Sequence, residues 1–202
     1  MNTSTKPTIF VPAAKHVPPE HEYLLSALEC VLGGRVGVYV SGPITTGRRF
    51  VDWYLDIGHS LEGDLNAYNV AKENSVVRGN ESDIVNVAQE LRATLAVTVI
   101  EPASLKIHSW SQENFYYFWT GVLDRFISRM IVLDGWQFSV GCAVEFEYAV
   151  KKGIQVESMQ GLRINRDAGN ELILEAAADI ERRGRSWEVL RKLADGLRNR
   201  SV

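Results

Sequence analysis

The chain has 202 residues, 46% of them hydrophobic, and a formal net charge of −3. That is enough apolar material for one well-buried domain, and the acidic balance argues against a nucleic-acid groove, which carries a basic excess. No apolar run approaches bilayer-spanning length, and Cys30 and Cys142 are too far apart for a metal or redox spacing. The expected partners therefore include no nucleic acid and no membrane, and the expected setting is a reducing cytoplasm.

The first twenty residues hold four of the six prolines and little periodicity, so they read as an extended arm without the apolar core of a secretory signal. "EHEYLLSALECVLGG" follows as a helix stopped by Gly33-Gly34. Val36–Val40 is a β-branched run bounded by glycines, which predicts a strand buried on both faces. "RRFVDWYLDIGHSLEGDL" spaces Phe50, Trp53, Tyr54 and Ile57 as a helix does. "NESDIVNVAQELRATL" predicts a further helix capped by Asn80 or Ser82.

"AVTVIEP" predicts a second strand, ended by Pro102, and "SQENFYYFWTGVLDRFIS" an aromatic-rich helix. "RMIVLDG" is the third strand, "SVGCAVEFEYAVKKG" a helix ending at Gly153, and "IQVES" a short last strand. The remainder reads as one or two amphipathic helices. The pattern divides into an arm and helix (1–34), a core (35–160) and a C-terminal helical extension of the same domain (161–202). Strands alternating with helices predict an α/β fold with a doubly wound, mostly parallel sheet of Rossmann-like or flavodoxin-like type.

In such folds ligands gather at the carboxyl ends of strands. That rule selects Ser41–Arg49 and Asp134–Glu145, distant in sequence and expected to meet in space. In the first stretch, "SGPITTGRR", Gly42 and Gly47 let backbone approach a ligand, and Thr45, Thr46 and Arg48 offer donors to phosphate oxygens. The spacing matches neither a Walker loop nor GxGxxG. In the second, Ser139 and Gly141 precede a helix whose amides attract anions.

Glu145 falls one turn inside that helix, where a carboxylate either attacks an electron-poor carbon, stabilises a cationic one, or merely complements the dipole. Tyr39, at the end of the first strand, is placed to hydrogen-bond it. Trp136 stands beside the expected pocket or braces its turn. Phe115, Tyr116 and Trp119 either stack a base or fill the core. Cys142 has no histidine to pair with it, and the four histidines show no metal spacing.

Taken together, "YVSGP" and "GCAVEFEYAVKKG" resemble the nucleoside 2-deoxyribosyltransferase superfamily. Gly141, Glu145, Tyr148, Ala149 and Gly153 fill its Gly-x-x-x-Glu-x-x-Tyr-Ala-x-x-x-Gly segment. The resemblance implies that Glu145 attacks C1′ of a nucleoside sugar, with no metal or organic cofactor, in a homodimer or larger assembly. "GPITTGR" and "QFSVGCAVE" are similar to the branch of nucleoside 5′-monophosphate N-glycosidases. That likeness implies a phosphate held by the Gly42–Arg48 loop and Ser139, with Ile44 and Gly47 shaping the loop and Arg48 as the cation; Ser41, Pro43, Thr45, Trp136 and Gly141 are further candidates for binding substrate or phosphate. The segment is equally similar to small uncharacterised proteins of the same fold.

Two departures stand out. The aspartate expected about two turns before the third strand is replaced by Thr120 or Gly121, and the strand-leading aspartate by Ser128 and Arg129. Asp124 and Asp134 are then the competing candidates for the acid, with water as a third source of the proton. The matched stretches cover roughly residues 36–50 and 124–156 of the chain.

Overall fold

The computed structural model describes residues 19–199, so the arm expected over residues 1–20 lies almost wholly outside them. The first helix, α1 (Glu20–Leu32), ends where Gly33 turns left-handed at φ 59°. Strand β1 (Gly37–Ser41) is buried at all five positions, as its unbroken apolar run requires. Helix α2 (Arg48–Asp56) is shorter than its apolar spacing suggested, and a 3₁₀ turn (Gly58–Leu61) follows it. Helix α3 (Leu65–Lys72), capped by the Asp64 side chain, had not been anticipated.

A π-helical turn (Glu73–Val77) joins α3 directly to α4 (Arg78–Thr94). Asn80 therefore caps nothing: it lies within α4, buried, with its side chain directed at the loop after β1. Strand β2 is reduced to Val99–Ile100. Helix α5 (Gln112–Phe126), capped by Ser111, leads into β3 (Ile127–Val132). After a 3₁₀ turn (Trp136–Phe138) come α6 (Val140–Lys151), β4 (Gln155–Ser158), α7 (Arg166–Gly184) and α8 (Glu188–Arg198).

The four strands form one all-parallel sheet in the order β2-β1-β3-β4. This is an α/β architecture compatible with a Rossmann-like fold. Alternate residues of β1 enter different apolar clusters. Tyr39 joins the larger one, with α5, α6 and α7, and Val40 the smaller, with Ile84 and Ala88 of α4. No helix among the described residues is long and apolar enough to cross a membrane.

The strand order locates the site. From β1 the chain crosses to β2 on one side, and from β3 to β4 on the other. The loops leaving the carboxyl ends of β1 and β3 therefore diverge, and a crevice opens between them. Ser41 ends β1 there, opposite Val132 of β3.

Candidate active site

The loop after β1 is shaped by contacts that only small residues allow. A Cβ on Gly42 would stand 2.7 Å from Ile84 of α4, so helix and loop pack closely only with glycine there. Gly47 adopts φ 91°, and a Cβ on it would stand 2.5 Å from Pro43. Asn80 then fixes the loop from below. Its Nδ2 donates to the carbonyls of Ile44 and Thr46 at 2.9 and 3.0 Å, and its Oδ1 accepts from Arg49 at 2.7 Å.

Truncating Asn80 to alanine strips two part-buried carbonyls of their donor and one guanidinium of its acceptor. We expect a loss of about 2–3 kcal/mol in urea unfolding, against a change near zero if solvent replaces all three bonds.

The loop meets the amino end of α6 through Thr46, whose hydroxyl donates to the Ser139 hydroxyl at 3.1 Å. Ser139 caps α6 with a long contact from the Cys142 amide at 3.5 Å. One turn further, Glu145 points back towards β1. The two stretches that sequence reading singled out thus meet directly. Tyr39 Oη donates to Glu145 Oε1 at 2.8 Å, and Ser41 Oγ donates to Oε2 at 2.6 Å.

Glu145 is only 9% exposed. Removal from water pushes its carboxyl up to about 7, against the opposing pull of the Ser41 and Tyr39 hydroxyls, which favour the charged form. Burial and the neighbouring Glu145 hold the Tyr39 phenol well above its ordinary value, so it remains a donor. The same two causes push the Cys142 thiol up to about 12. A thiol held so firmly neutral is a poor nucleophile.

Glu145 opens onto a cleft of about 580 Å³. Gly42, Ile44 and Thr45 form one wall, and Ser139, Gly141 and Glu145 the adjoining one. Phe115, Tyr116 and Trp119 of α5 also line it, Tyr116 close beside Gly141, so all three aromatic candidates face the cleft. Lys106 and His108, from the segment between β2 and α5, line its rim. Glu73 of the π-turn and Glu81 of α4 complete it, Glu81 being paired with Lys106 at 2.8 Å. Tyr39 and Ser41 lie fully buried behind Glu145.

The other candidates lie elsewhere. Arg48, Pro43 and Asp134 line a neighbouring cleft of about 700 Å³ on the far side of the loop. The Arg48 guanidinium sits over the Phe138 ring, 4.5 Å from its centroid. Asp124 is paired with Lys152 at the other end of α5, and it lines no part of the Glu145 cleft. Trp136 is buried against Phe146, ring centroids 4.8 Å apart, where it supports the back of α6. Gly47 is buried in the loop between the two clefts.

Sequence reading had not selected Asn80, Glu73, Glu81, Lys106 or His108 for the site. The π-turn that brings Glu73 to the cleft has no sequence signature comparable to a cap or a glycine stop. Among the described residues no grouping of histidine, cysteine, aspartate or glutamate side chains is suited to a metal ion. No protein-family model, no curated protein and no solved structure matches this chain.

Proposed function

We propose that the protein cleaves, or transfers, the N-glycosidic bond of a nucleoside or nucleoside 5′-monophosphate at Glu145. One observation carries the reading: a buried carboxylate gripped by two hydroxyls faces a cleft walled by aromatic rings and by small and hydroxyl-bearing residues. The Glu145 carboxylate attacks C1′, and the electrons of the N-glycosidic bond leave with the base. Water, or a second base, then attacks C1′ and frees the carboxylate.

Tyr39 and Ser41 aim the two oxygens and stabilise the ionised form that attack requires. Because Asp124 and Asp134 lie outside the cleft, this reading takes the leaving base's proton from water. Aromatic faces of Phe115, Tyr116 and Trp119 offer a stacking surface for the base.

The family resemblance adds finer expectations to the same reading: a doubly wound Rossmann-like sheet and a cytoplasmic homo-oligomer. Separate apolar clusters on alternate residues of β1 support the first. Free Cys30, which is exposed, and free Cys142 fit a reducing compartment.

The test is a panel of nucleosides and 5′-monophosphates, with free base measured by chromatography. Base release by wild type supports the reading; base exchange without net hydrolysis supports transfer. Attack needs ionised Glu145, whose carboxyl is raised to about 7. We therefore expect kcat/KM to rise with pH up to about 7 and to level off above it. A profile flat between pH 5 and 9 would count against attack by this carboxylate.

A second reading, a non-catalytic nucleotide-binding module of the same fold, is favoured by one observation: neither candidate aspartate reaches the cleft. Tight binding without turnover, unaffected by Glu145→Gln, is its signature.

A further inference from the structure

Resting on the function proposed above, we infer that the Glu145 cleft selects uncharged nucleosides and rejects their 5′-monophosphates. The balance of charge within the cleft carries this. Three carboxyl groups line it, those of Glu73, Glu81 and Glu145, against one lysine, Lys106, and one histidine, His108; Glu73 also has Arg78 at 3.9 Å, a residue that lines no part of the cleft. Lys106 is already held by Glu81 at 2.8 Å, with the Glu81 side chain 19% exposed. The guanidinium that would serve a phosphate, Arg48, lies across the loop against the Phe138 ring and lines the neighbouring clefts. Arg49 is engaged by Asn80 and Asp83 on that same far side.

A nucleoside 5′-phosphate brings close to two negative charges at neutral pH. In this cleft they meet the Glu73 and Glu145 carboxyl groups, while Lys106 and Glu81 are paired with each other, so no unpaired lysine or arginine of the lining offsets the phosphate; low-dielectric walls strengthen the repulsion. A free 5′-hydroxyl meets no such penalty. Hydroxyls of Thr45, Thr46 and Ser139 on the loop and on α6 provide neutral partners for the sugar. The phosphate role that the GPITTGR stretch implies is therefore not met by the residues that share the cleft with Glu145.

The test compares matched pairs, such as 2′-deoxyadenosine with its 5′-monophosphate and 2′-deoxycytidine with its own. Binding to Glu145→Gln is followed by equilibrium dialysis, and turnover by wild type is measured alongside. At low salt we expect the nucleoside to be favoured by at least about tenfold in binding, the gap narrowing as salt screens the carboxylates. The double variant Glu73→Gln, Glu81→Gln is expected to narrow it as well. Equal or tighter binding of the monophosphate, or binding of neither member of the pairs, overturns the inference. Preferential nucleoside binding without base release by wild type would uphold this selectivity while removing the catalytic reading, so the two fail separately.

Discussion

Replacing Glu145 with glutamine is expected to lower the rate of base release by about 10³-fold or more while making the fold more stable above neutral pH. The two effects share one cause. Glu145 is buried in a site that resists its charge, and its carboxyl is raised from 4.5 to about 7. Between those values the folded protein holds a proton that the unfolded chain releases. Stability from this group is thus fully present below pH 4.5 and is lost as pH rises through about 7.

Glutamine carries no such penalty. Its amide offers one acceptor and one donor, and the Ser41 or Tyr39 hydroxyl turns to suit. At pH 8 the variant should be more stable by up to about 3 kcal/mol, a gain of several degrees in Tm. That advantage should vanish near pH 4. Such a gain on removing the carboxylate is the trade between stability and activity that the proposed role of Glu145 predicts. Equal stability of the two proteins at pH 8 would mean that Glu145 is ionised in the fold without strain.

The second large effect lies behind α6. Gly169 of α7 faces Phe146, and a Cβ placed on it would lie 1.9 Å from the tip of that ring, itself fully buried. Alanine at a helical glycine ordinarily stabilises by about 0.5–1 kcal/mol. Here we expect the opposite sign, a loss of about 2–3 kcal/mol, because the ring has no free space to enter. Thermal or urea unfolding checks this.

Combining Gly169→Ala with Phe146→Leu should recover part of the loss, since the two changes share one contact. Phe146 adjoins Glu145 in sequence and packs against Trp136, so a displaced ring also disturbs the helix that carries Glu145. We therefore expect the single variant to reduce turnover as well as stability. A stabilised Gly169→Ala variant would show that α7 does not press on α6 as described.

The C-terminal helices thus support the site, a role that their amphipathic pattern did not reveal. What the sequence did make legible was the pairing of β1 with the Glu145 helix. Val38, Tyr39 and Val40 advertise a buried central strand, and Ser139 and Gly153 bracket a helix by ordinary cap chemistry. The position of Glu145 one turn inside that helix follows from spacing alone.

What remained hidden depended on tertiary placement. Seven residues suggested β2, but only Val99 and Ile100 form the strand, at the sheet edge, where one neighbour alone holds them. Arg48 and Glu145 were expected in one pocket because both follow strand ends. Whether a side chain points to one side of a loop or the other is set by the left-handed Gly47 and by the Asn80 bonds. Asn80 itself read as a helix cap, its commonest local use. Its actual role required knowing that α3, the π-turn and α4 run together beneath the loop.

The proposed reaction places the Glu145 carboxylate at C1′ of a nucleoside sugar. Its most direct test is to incubate wild type and Glu145→Gln at pH 8 with a set of nucleosides and to quantify free base over time. Wild type is expected to release base steadily from at least one nucleoside, and the variant only at background level. Release at the same rate by both proteins, or by neither from any compound, would contradict it.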